Sequence, residues 1–335
     1  MKHFFYLLFW LLSGAALNAA PELPVIHWRK LPDLPSPGGG HLVLADHGKV
    51  LVLGGTFWRG GVKYRYDRVL RLDVDGRDWI EESKLPLPLG YMVGCRHDGK
   101  LIFAGGTTVG DQDNPRTYIR TNDGRWTVVR MTGSPPFGAA AATDGHRLFA
   151  VGGLLRSNDW KSVTNQLLIL DLDHPEHGWQ TGPPLPGEGR ALAALCVHRE
   201  RLYLFGGADG NIENRSECWT MELASGVWTR LPDLPVAVRY ALALPWKNRI
   251  ILIANCLTGK DHQTVTSNRI FIFDPDTRQW SPGGLTPYTA AADGAICGNR
   301  IYLIGGEDKG QSRVATCAVG VLEENAGDGA KASGE

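Results

Sequence analysis

The chain has 335 residues, with 35 basic and 35 acidic side chains, so its formal net charge is zero. A nucleic-acid-binding surface usually shows a basic excess or a basic stripe, and the sequence has neither, which argues against a nucleic-acid partner. The composition includes 42 glycines, 20 prolines and 11 tryptophans. Such a composition favours many short strands joined by turns, and therefore an all-β fold.

The N-terminal segment has the order of a secretory signal. Residues 1–20 read MKHFFYLLFWLLSGAALNAA: a short basic start, an apolar run, and small residues leading to Ala19 and Ala20. The apolar run is shorter than the roughly 20 residues that span a bilayer. We therefore expect a signal peptide at residues 1–19, export to the periplasm, and no stable membrane insertion after cleavage. An uncleaved membrane anchor is the alternative.

A run of apolar residues closed by two glycines recurs along the chain. The glycine pairs are Gly54-Gly55, Gly105-Gly106, Gly152-Gly153, Gly206-Gly207 and Gly305-Gly306. Ala254-Asn255 occupies the same place in a degenerate copy. A tryptophan accompanies each of the six units, namely Trp28, Trp79, Trp126, Trp179, Trp228 and Trp280. The units are about 50 residues long, which is the kelch period.

Each unit has the pattern of four strands. A strand of small residues precedes the apolar strand, and a polar loop, a third strand and a tryptophan-bearing strand follow. The last glycine pair precedes a third strand but no tryptophan strand, whereas Trp28 lies in a spare strand at the start. We therefore predict a six-bladed kelch β-propeller over residues 22–324, whose last blade is closed by the N-terminal strand. Residues 325–335 are small and polar, and we expect a disordered tail there.

The cysteines and histidines do not predict a metal site. Cys95, Cys196 and Cys297 each lie in an apolar strand, and no two cysteines form a CxxC pair, so they are typical of small buried residues. Export would permit a disulfide, which the sequence leaves open. Histidines recur at one turn in four units, at His47, His97, His146 and His198. That recurrence indicates turn chemistry. The sequence has no HExxH, Walker A or GxSxG motif, so we predict no metal and no organic cofactor.

Functional residues of a propeller are expected on its longer loops. The candidates on loops between second and third strands include Trp58, Glu307 and Arg313. The candidates on connections that lead into first strands include Tyr91, Arg190, Arg239 and Tyr240. A charged loop residue is more often simply solvated, and an aromatic residue near a strand start more often packs between blades. Position alone therefore assigns no role to any of them.

Several segments resemble a known family in order and spacing. WRKLPDLP, VLVLGGTFWRGG, YDRVLRLD and KLPLPLGYMVG resemble the first blade and a half of the cyclically permuted mutarotases, kelch-repeat relatives of bacterial N-acetylneuraminate epimerase. The segment GEDKGQSR, residues 306–313, resembles the family phrase G-E-x-K-x-G-x-R, in which the Glu and the Arg are the active pair. Its second glycine comes one place early, at Gly310. The resemblance covers nearly the whole chain after the signal.

The resemblance implies an isomerase that interconverts sugar anomers, most simply those of N-acetylneuraminate. Glu307 would be the general acid and base, and Arg313 would bind the substrate carboxylate in bidentate fashion. The expected partner is a small sugar acid, and the oligomeric state stays open. Residues expected to contact the sugar are Arg190, Arg239, Tyr91, Tyr240 and Trp58. The alternatives are a propeller that binds carbohydrate without turnover and a propeller that binds another protein.

Overall fold

A computed structural model describes residues 23–46, 48–73, 77–129, 133–259 and 263–324. In these ranges the chain forms six antiparallel sheets of propeller type, which confirms the predicted all-β, six-bladed fold. The predicted signal peptide and the predicted tail lie outside the described residues. None of the helices in the described ranges is long and apolar enough to cross a membrane.

The strands follow one another blade by blade. The N-terminal strand is β1 (Val25–Leu31). Blade I has β2 (Leu42–Asp46), β3 (Lys49–Leu53), the hairpin of β4 (Thr56–Arg59) and β5 (Val62–Arg65), then β6 (Arg68–Asp73) and β7 (Ile80–Lys84). Blade II has β8 (Val93–His97), β9 (Lys100–Ala104), β10 (Thr117–Arg120) and β11 (Trp126–Val129). Blade III has β12 (Ala140–Thr143), β13 (Arg147–Val151), β14 (Leu167–Asp171) and β15 (Trp179–Gly182).

The second half of the ring repeats this order. Blade IV has β16 (Ala194–His198), β17 (Arg201–Phe205), β18 (Cys218–Glu222) and β19 (Trp228–Leu231). Blade V has a divided first strand, β20 (Val238–Arg239) and β21 (Leu242–Trp246), followed by β22 (Arg249–Thr258), β23 (Thr264–Asp274) and β24 (Gln279–Leu285). Blade VI has β25 (Ala291–Cys297), β26 (Arg300–Glu307) and β27 (Cys317–Glu323). Short 3-10 helices lie at Val109–Asp111, Trp160–Ser162 and Pro175–His177.

The ring closes as predicted, with β1 as the outer strand of blade VI. β1 pairs with β27 in antiparallel register, from Val25 opposite Glu323 to Leu31 opposite Cys317. Trp28 lies opposite Gly320, where an added Cβ would be 2.9 Å from the indole ring. The glycine therefore leaves the space that the tryptophan ring occupies. Because β1 and β27 pair in one sheet, neither strand can separate without opening the ring.

Five of the six repeated tryptophans form a hydrogen bond from their own blade to the one before it. Four indole N–H groups donate to backbone carbonyls at the end of the preceding blade: Trp79 to Pro32 at 3.0 Å, Trp126 to Lys84 at 2.8 Å, Trp228 to Pro183 at 3.0 Å and Trp280 to Pro232 at 3.4 Å. Trp179 instead donates to the Thr117 hydroxyl at 3.0 Å. Each such bond contributes about 1 kcal/mol net. The tryptophan period is thus a period of contacts between blades.

Apolar side chains fill the space between neighbouring blades. Leu53 and Val69 of blade I, for example, form one cluster with Phe103 and Tyr118 of blade II, and all four are almost completely buried. Burying a Leu or Phe side chain stabilises the fold by roughly 1.5–3 kcal/mol. The first strands of the blades face inward and line a central channel.

Candidate functional site

One position repeats around the mouth of the channel, directly after each glycine pair. It is occupied by Thr56, Thr107, Leu154, Ala208, Cys256 and Glu307. Each of these residues pairs with the connection that leads into the first strand of its own blade. Five blades place an uncharged residue here, and blade VI places Glu307. Because five blades carry an uncharged residue at this position, the fold does not require the charge of Glu307.

A second repeated position lies one step deeper in the channel, opposite the last apolar residue of each second strand. It is occupied by Leu42, Val93, Ala140, Ala194, Leu242 and Asp293. Five blades place an aliphatic side chain here, and blade VI again places a carboxylate. Both departures from the sixfold pattern therefore occur in one blade, and both are acidic.

Glu307 forms an ion pair with Arg313, which lies at the end of the same loop. Nη1 of Arg313 donates to the Glu307 carboxylate. Nη2 donates to the Tyr91 hydroxyl at 3.1 Å and to Oγ1 of Thr56 at 3.2 Å, and Nε lies 3.4 Å from the same Thr56 oxygen. The Arg313 side chain is 4% exposed, and that of Glu307 is 36% exposed. The carboxylate therefore faces the solvent-filled space, whereas the guanidinium lies behind it.

The hydrogen-bond partners of Arg313 limit the contacts that its guanidinium can make with a substrate. Burial alone would lower the pKa of Arg313, but the neighbouring Tyr91 and Glu307 outweigh burial, so the pKa is raised. All three guanidinium nitrogens already have partners. The predicted bidentate contact with a substrate carboxylate would require one of these partners to be displaced. In this geometry Arg313 orients Glu307.

Three consecutive glycines, residues 38–40, make room for this cluster. An added Cβ at Gly39 would lie 3.0 Å from Cδ of Arg313, and one at Gly40 would lie 2.6 Å from the ring of Tyr91. Gly40 also has a φ of 66°, in the left-handed region that favours glycine. The segment that leads into β2 must therefore be free of side chains for Arg313 and Tyr91 to meet.

A cavity of about 560 Å³ opens in front of Glu307. Its walls include Glu307, Arg313, Tyr91, Tyr240, Arg239 and Asp293. A second cavity of about 320 Å³ continues down the channel and shares Tyr91, Tyr240 and Asp293 with the first. Pockets for small molecules are commonly about 300–1,000 Å³ in volume. The first cavity has this size and contains charges of both signs.

Two tyrosines stand on strained backbone at the wall of the cavity. Tyr91 has a φ of 59° and Tyr240 a φ of 54°, a region that aromatic residues rarely adopt. Bonds between blades hold this conformation, because Tyr91 N donates to Gly40 O and Tyr240 N donates to Leu192 O, both at 2.8 Å. The surrounding walls raise the pKa of the Tyr240 phenol through burial. The same left-handed conformation recurs at Gly40, Gly138 and Leu192 in the equivalent connections, so it belongs to the repeat.

Asn255 stands in blade V where the other blades have the second glycine of the pair. Its side-chain nitrogen donates to the backbone carbonyls of Tyr240 at 2.7 Å and Ala292 at 2.8 Å, and the residue is 2% exposed. One amide thus joins blades V and VI behind the cavity wall. The next residue, Cys256, lines the cavity, and burial raises its pKa to about 11.

Asp293 joins blade VI to blade I. Its Oδ2 accepts from the backbone N–H of His41 at 2.9 Å. Nδ1 of His41 lies 3.2 Å from the same oxygen, without the alignment of a hydrogen bond. The His41 side chain is 2% exposed and that of Asp293 is 23% exposed. Sequence analysis missed Asp293, although a lone acid in the small-residue segment TAAADGA was the available signal.

The remaining predicted residues divide into two groups. Arg239 lies at the cavity, with a 3.4 Å contact from Nη1 to Ile212 O and a buried Nε that has no partner. Arg190 does not reach the cavity: it is 4% exposed, and it donates to the backbone carbonyls of Gly206 at 3.1 Å and Glu217 at 3.4 Å. Burial lowers the pKa of Arg190. It therefore ties the backbone inside blade IV together.

Trp58 lies beside a separate depression, on the other side of Arg313. Nζ of Lys63 lies 5.4 Å from the centre of the Trp58 ring and 5.7 Å from that of Tyr91. The structure thus brings Glu307, Arg313, Arg239, Tyr91 and Tyr240 to one cavity and leaves Arg190 and Trp58 outside it.

Two groups of three side chains in the described residues could supply metal ligands. His97, Asp98 and Asp173 form one group, and His174, Glu176 and His177 form another. In the first group, His97 Nε2 lies 3.0 Å from Asp173 and Nδ1 lies 2.9 Å from the Gly145 carbonyl. These polar groups are thus paired with one another. Neither group lines the cavity at Glu307.

Comparison with known proteins supports the kelch fold and the similarity to a mutarotase-like family. The kelch motif family matches residues 189–235. Kelch-like protein 36 of Bos taurus is 22% identical over 294 residues, which cover 85% of this chain and 46% of that protein. N-acetylneuraminate epimerase of Yersinia pestis (strain Pestoides F) is 27% identical over 195 residues, which cover 47% of this chain and 50% of that protein. The chain thus spans half or less of the length of these curated relatives.

The solved structure of YjhT has the same fold. It superposes with a TM-score of 0.71 and 16% sequence identity, over 88% of this chain and 99% of that chain. At this level of identity the likeness concerns the fold alone. Together with the curated relatives, it confirms the resemblance to kelch-repeat proteins that include N-acetylneuraminate epimerases.

Proposed function

We propose that this protein is a mutarotase that interconverts the anomers of a sugar acid, and that N-acetylneuraminate is its substrate. The observation that carries the proposal is the placement of Glu307. It is a partly exposed carboxylate, oriented by a buried arginine, in a cavity of about 560 Å³. The similarity to N-acetylneuraminate epimerase of Yersinia pestis supports the choice of sugar.

The reaction needs little more than proton transfer and orientation. A sugar ring opens when the anomeric hydroxyl loses its proton and the ring oxygen gains one, and it recloses on the other face. Glu307 takes the proton from the anomeric hydroxyl, and Arg313 keeps its carboxylate aimed into the cavity. General acid and base catalysis contributes roughly 10²–10⁴-fold to a rate.

Arg239 is the residue that we propose for the substrate carboxylate. Its Nε is buried and has no partner, and no carboxylate of the described residues lies within ion-pair distance of its guanidinium. An arginine at a cavity without a carboxylate partner favours a planar anion that can accept two hydrogen bonds. Tyr91 and Tyr240 would border the sugar ring. We also propose that the protein acts in the periplasm, as the signal-like residues 1–19 suggest.

The test follows anomers directly. A sialidase releases N-acetylneuraminate as the α-anomer, and proton NMR then measures its approach to the β-anomer with and without the protein. We expect acceleration by the wild-type protein and a loss of about 100-fold or more in Glu307→Gln. Glu213→Gln is the matched control, because Glu213 is an exposed acid in the equivalent loop of blade IV. Saturable shifts of the sugar signals without acceleration would instead indicate a non-catalytic carbohydrate-binding propeller. Neither acceleration nor binding would favour a protein partner.

A further inference from the structure

We propose that Asp293 is the second proton-transfer group of this site. In this scheme Asp293 protonates the ring oxygen while Glu307 removes the proton of the anomeric hydroxyl. The inference rests on the proposed mutarotase function and adds a catalytic residue to it.

The position of Asp293 is the first argument. Five blades carry Leu, Val or Ala at this place in the channel wall, so the fold is satisfied by an aliphatic side chain. Placing a carboxyl group in such a wall costs free energy unless the group is paired. Here only Oδ2 has a hydrogen bond among the described residues, to His41 N, and the side chain remains 23% exposed. Oδ1 is thus available to a ligand.

The second argument is that Asp293 and Glu307 share one cavity. Both line the space in front of Arg313, and both carboxylates help to raise the pKa of that arginine. Asp293 lies at the junction of this cavity with the inner channel, because it lines both. A sugar between the two carboxyl groups would therefore meet one at the mouth and the other at the floor.

The third argument is the need for an acid. Arg313 holds the Glu307 carboxylate at the mouth of the cavity, where it can accept a proton. The ring opens only if a second group gives a proton to the ring oxygen while Glu307 takes one from the anomeric hydroxyl. Asp293 is the carboxyl group that lines both this cavity and the inner channel, so it can donate a proton to a ring oxygen held between them and take it back.

The proton balance is as follows. Glu307 receives the proton of the anomeric hydroxyl, the bond between the anomeric carbon and the ring oxygen breaks, and a carbonyl group forms. The proton of Asp293 moves to the ring oxygen, which becomes a hydroxyl group. After rotation of the open chain, this hydroxyl attacks the other face of the carbonyl and returns its proton to Asp293. Glu307 returns its proton to the former carbonyl oxygen, so both groups are restored.

His41 is the positioning residue in this scheme. Its backbone N–H holds Oδ2 of Asp293, and its imidazole lies beside the same oxygen. The ring is confined by glycine, since an added Cβ at Gly38 would be 2.6 Å from Nε2 of His41. The backbone N–H of His41 therefore stabilises the carboxylate that forms when Asp293 gives up its proton.

The experiment compares Asp293→Asn and Asp293→Leu with the wild-type protein. Leucine occupies the equivalent place at Leu42 and Leu242, so the second variant is expected to fold. We expect kcat for mutarotation to fall by about 100-fold or more in both variants. Binding of the methyl glycoside of N-acetylneuraminate, which cannot open, should change less than about twofold, and both variants should remain folded at the assay temperature. Asp98→Asn is the matched control, because Asp98 lies on an exposed turn and its side chain is 79% exposed.

The outcomes separate the two proposals. An Asp293→Asn variant that keeps more than a tenth of wild-type kcat, alongside an inactive Glu307→Gln, would overturn the inference and leave the mutarotase function standing. A wild-type protein without mutarotase activity would overturn both. Loss of glycoside binding in both Asp293 variants would assign Asp293 to binding and contradict its role as the acid.

Discussion

Substituting Asn255 by glycine restores the repeat pattern of the sequence and should nevertheless destabilise the protein. Every other blade has glycine at this place, with positive φ, and the repeat alone would predict a neutral or favourable change. In the structure Asn255 is not among the residues with positive φ. Its amide donates to two backbone carbonyls, of Tyr240 and Ala292, and both bonds are lost in the variant.

The size of the effect follows from these two bonds. Removing the partner of a buried polar group costs about 1–3 kcal/mol. Each carbonyl oxygen keeps a second lone pair for another donor, so both losses should lie in the lower part of this range and together cost about 2–4 kcal/mol. A glycine inside a strand costs roughly a further 0.5–1 kcal/mol through backbone entropy. Asn255→Ala should therefore lose about 2–4 kcal/mol, and Asn255→Gly slightly more. For a domain of this size the melting temperature changes by about 1.5 °C per kcal/mol, so it should fall by roughly 3–8 °C.

Thermal unfolding and urea denaturation of the wild-type protein, Asn255→Ala and Asn255→Gly measure this difference. Asn299→Ala is the matched control, because Asn299 is exposed and its amide makes one longer bond, to Leu322 O at 3.4 Å. We expect the control to lose less than about 1 kcal/mol. An Asn255→Gly variant as stable as the wild-type protein would refute the assignment of Asn255 as the link between blades V and VI.

Two further predictions concern titratable groups. Burial opposes but does not overcome the effect of Lys63 and Arg65, which lower the pKa of Asp111. The stability that Asp111 contributes is therefore present above the unfolded pKa of about 4 and is lost as the pH falls through its lower folded value. Asp111→Asn should reduce the difference between urea midpoints at pH 7 and pH 3, and an unchanged difference would contradict this. Cys256, with a pKa of about 11, should react with iodoacetamide at pH 7.5 at least about 100-fold more slowly than a free thiol of pKa about 8.5. Labelling at the rate of a free thiol would show that the cavity wall is open.

Much of the architecture could be predicted because it repeats. Glycine pairs and tryptophans recur about every 50 residues, and each repeat forms one sheet with the same contacts to its neighbour. The missing tryptophan strand after Gly306 correctly predicted that the strand around Trp28 closes blade VI. The proximity of Glu307 and Arg313 was also accessible, because both lie on one short loop after β26.

Two residues have contacts that the repeat pattern did not predict. Arg190 and Arg239 both lie near the start of a first strand. The guanidinium of Arg190 donates to backbone carbonyls, whereas Arg239 lines the cavity. Asn255 has the pattern of a degenerate glycine but is a connector between blades. Both outcomes depend on which neighbours a side chain meets across a blade boundary, and the repeat does not encode that.

The sequence by itself determined the period, the strand order and the closing of the ring, because these depend on residues close together in the chain or on counting complete units. Only the tertiary structure decided what the channel contains. The bond between His41 and Asp293 joins residues 252 positions apart, and that between Arg313 and Tyr91 joins residues 222 positions apart. Contacts of such length arise only when the ring closes and the six first strands converge on one axis. The composition of the site is therefore a property of the closed propeller.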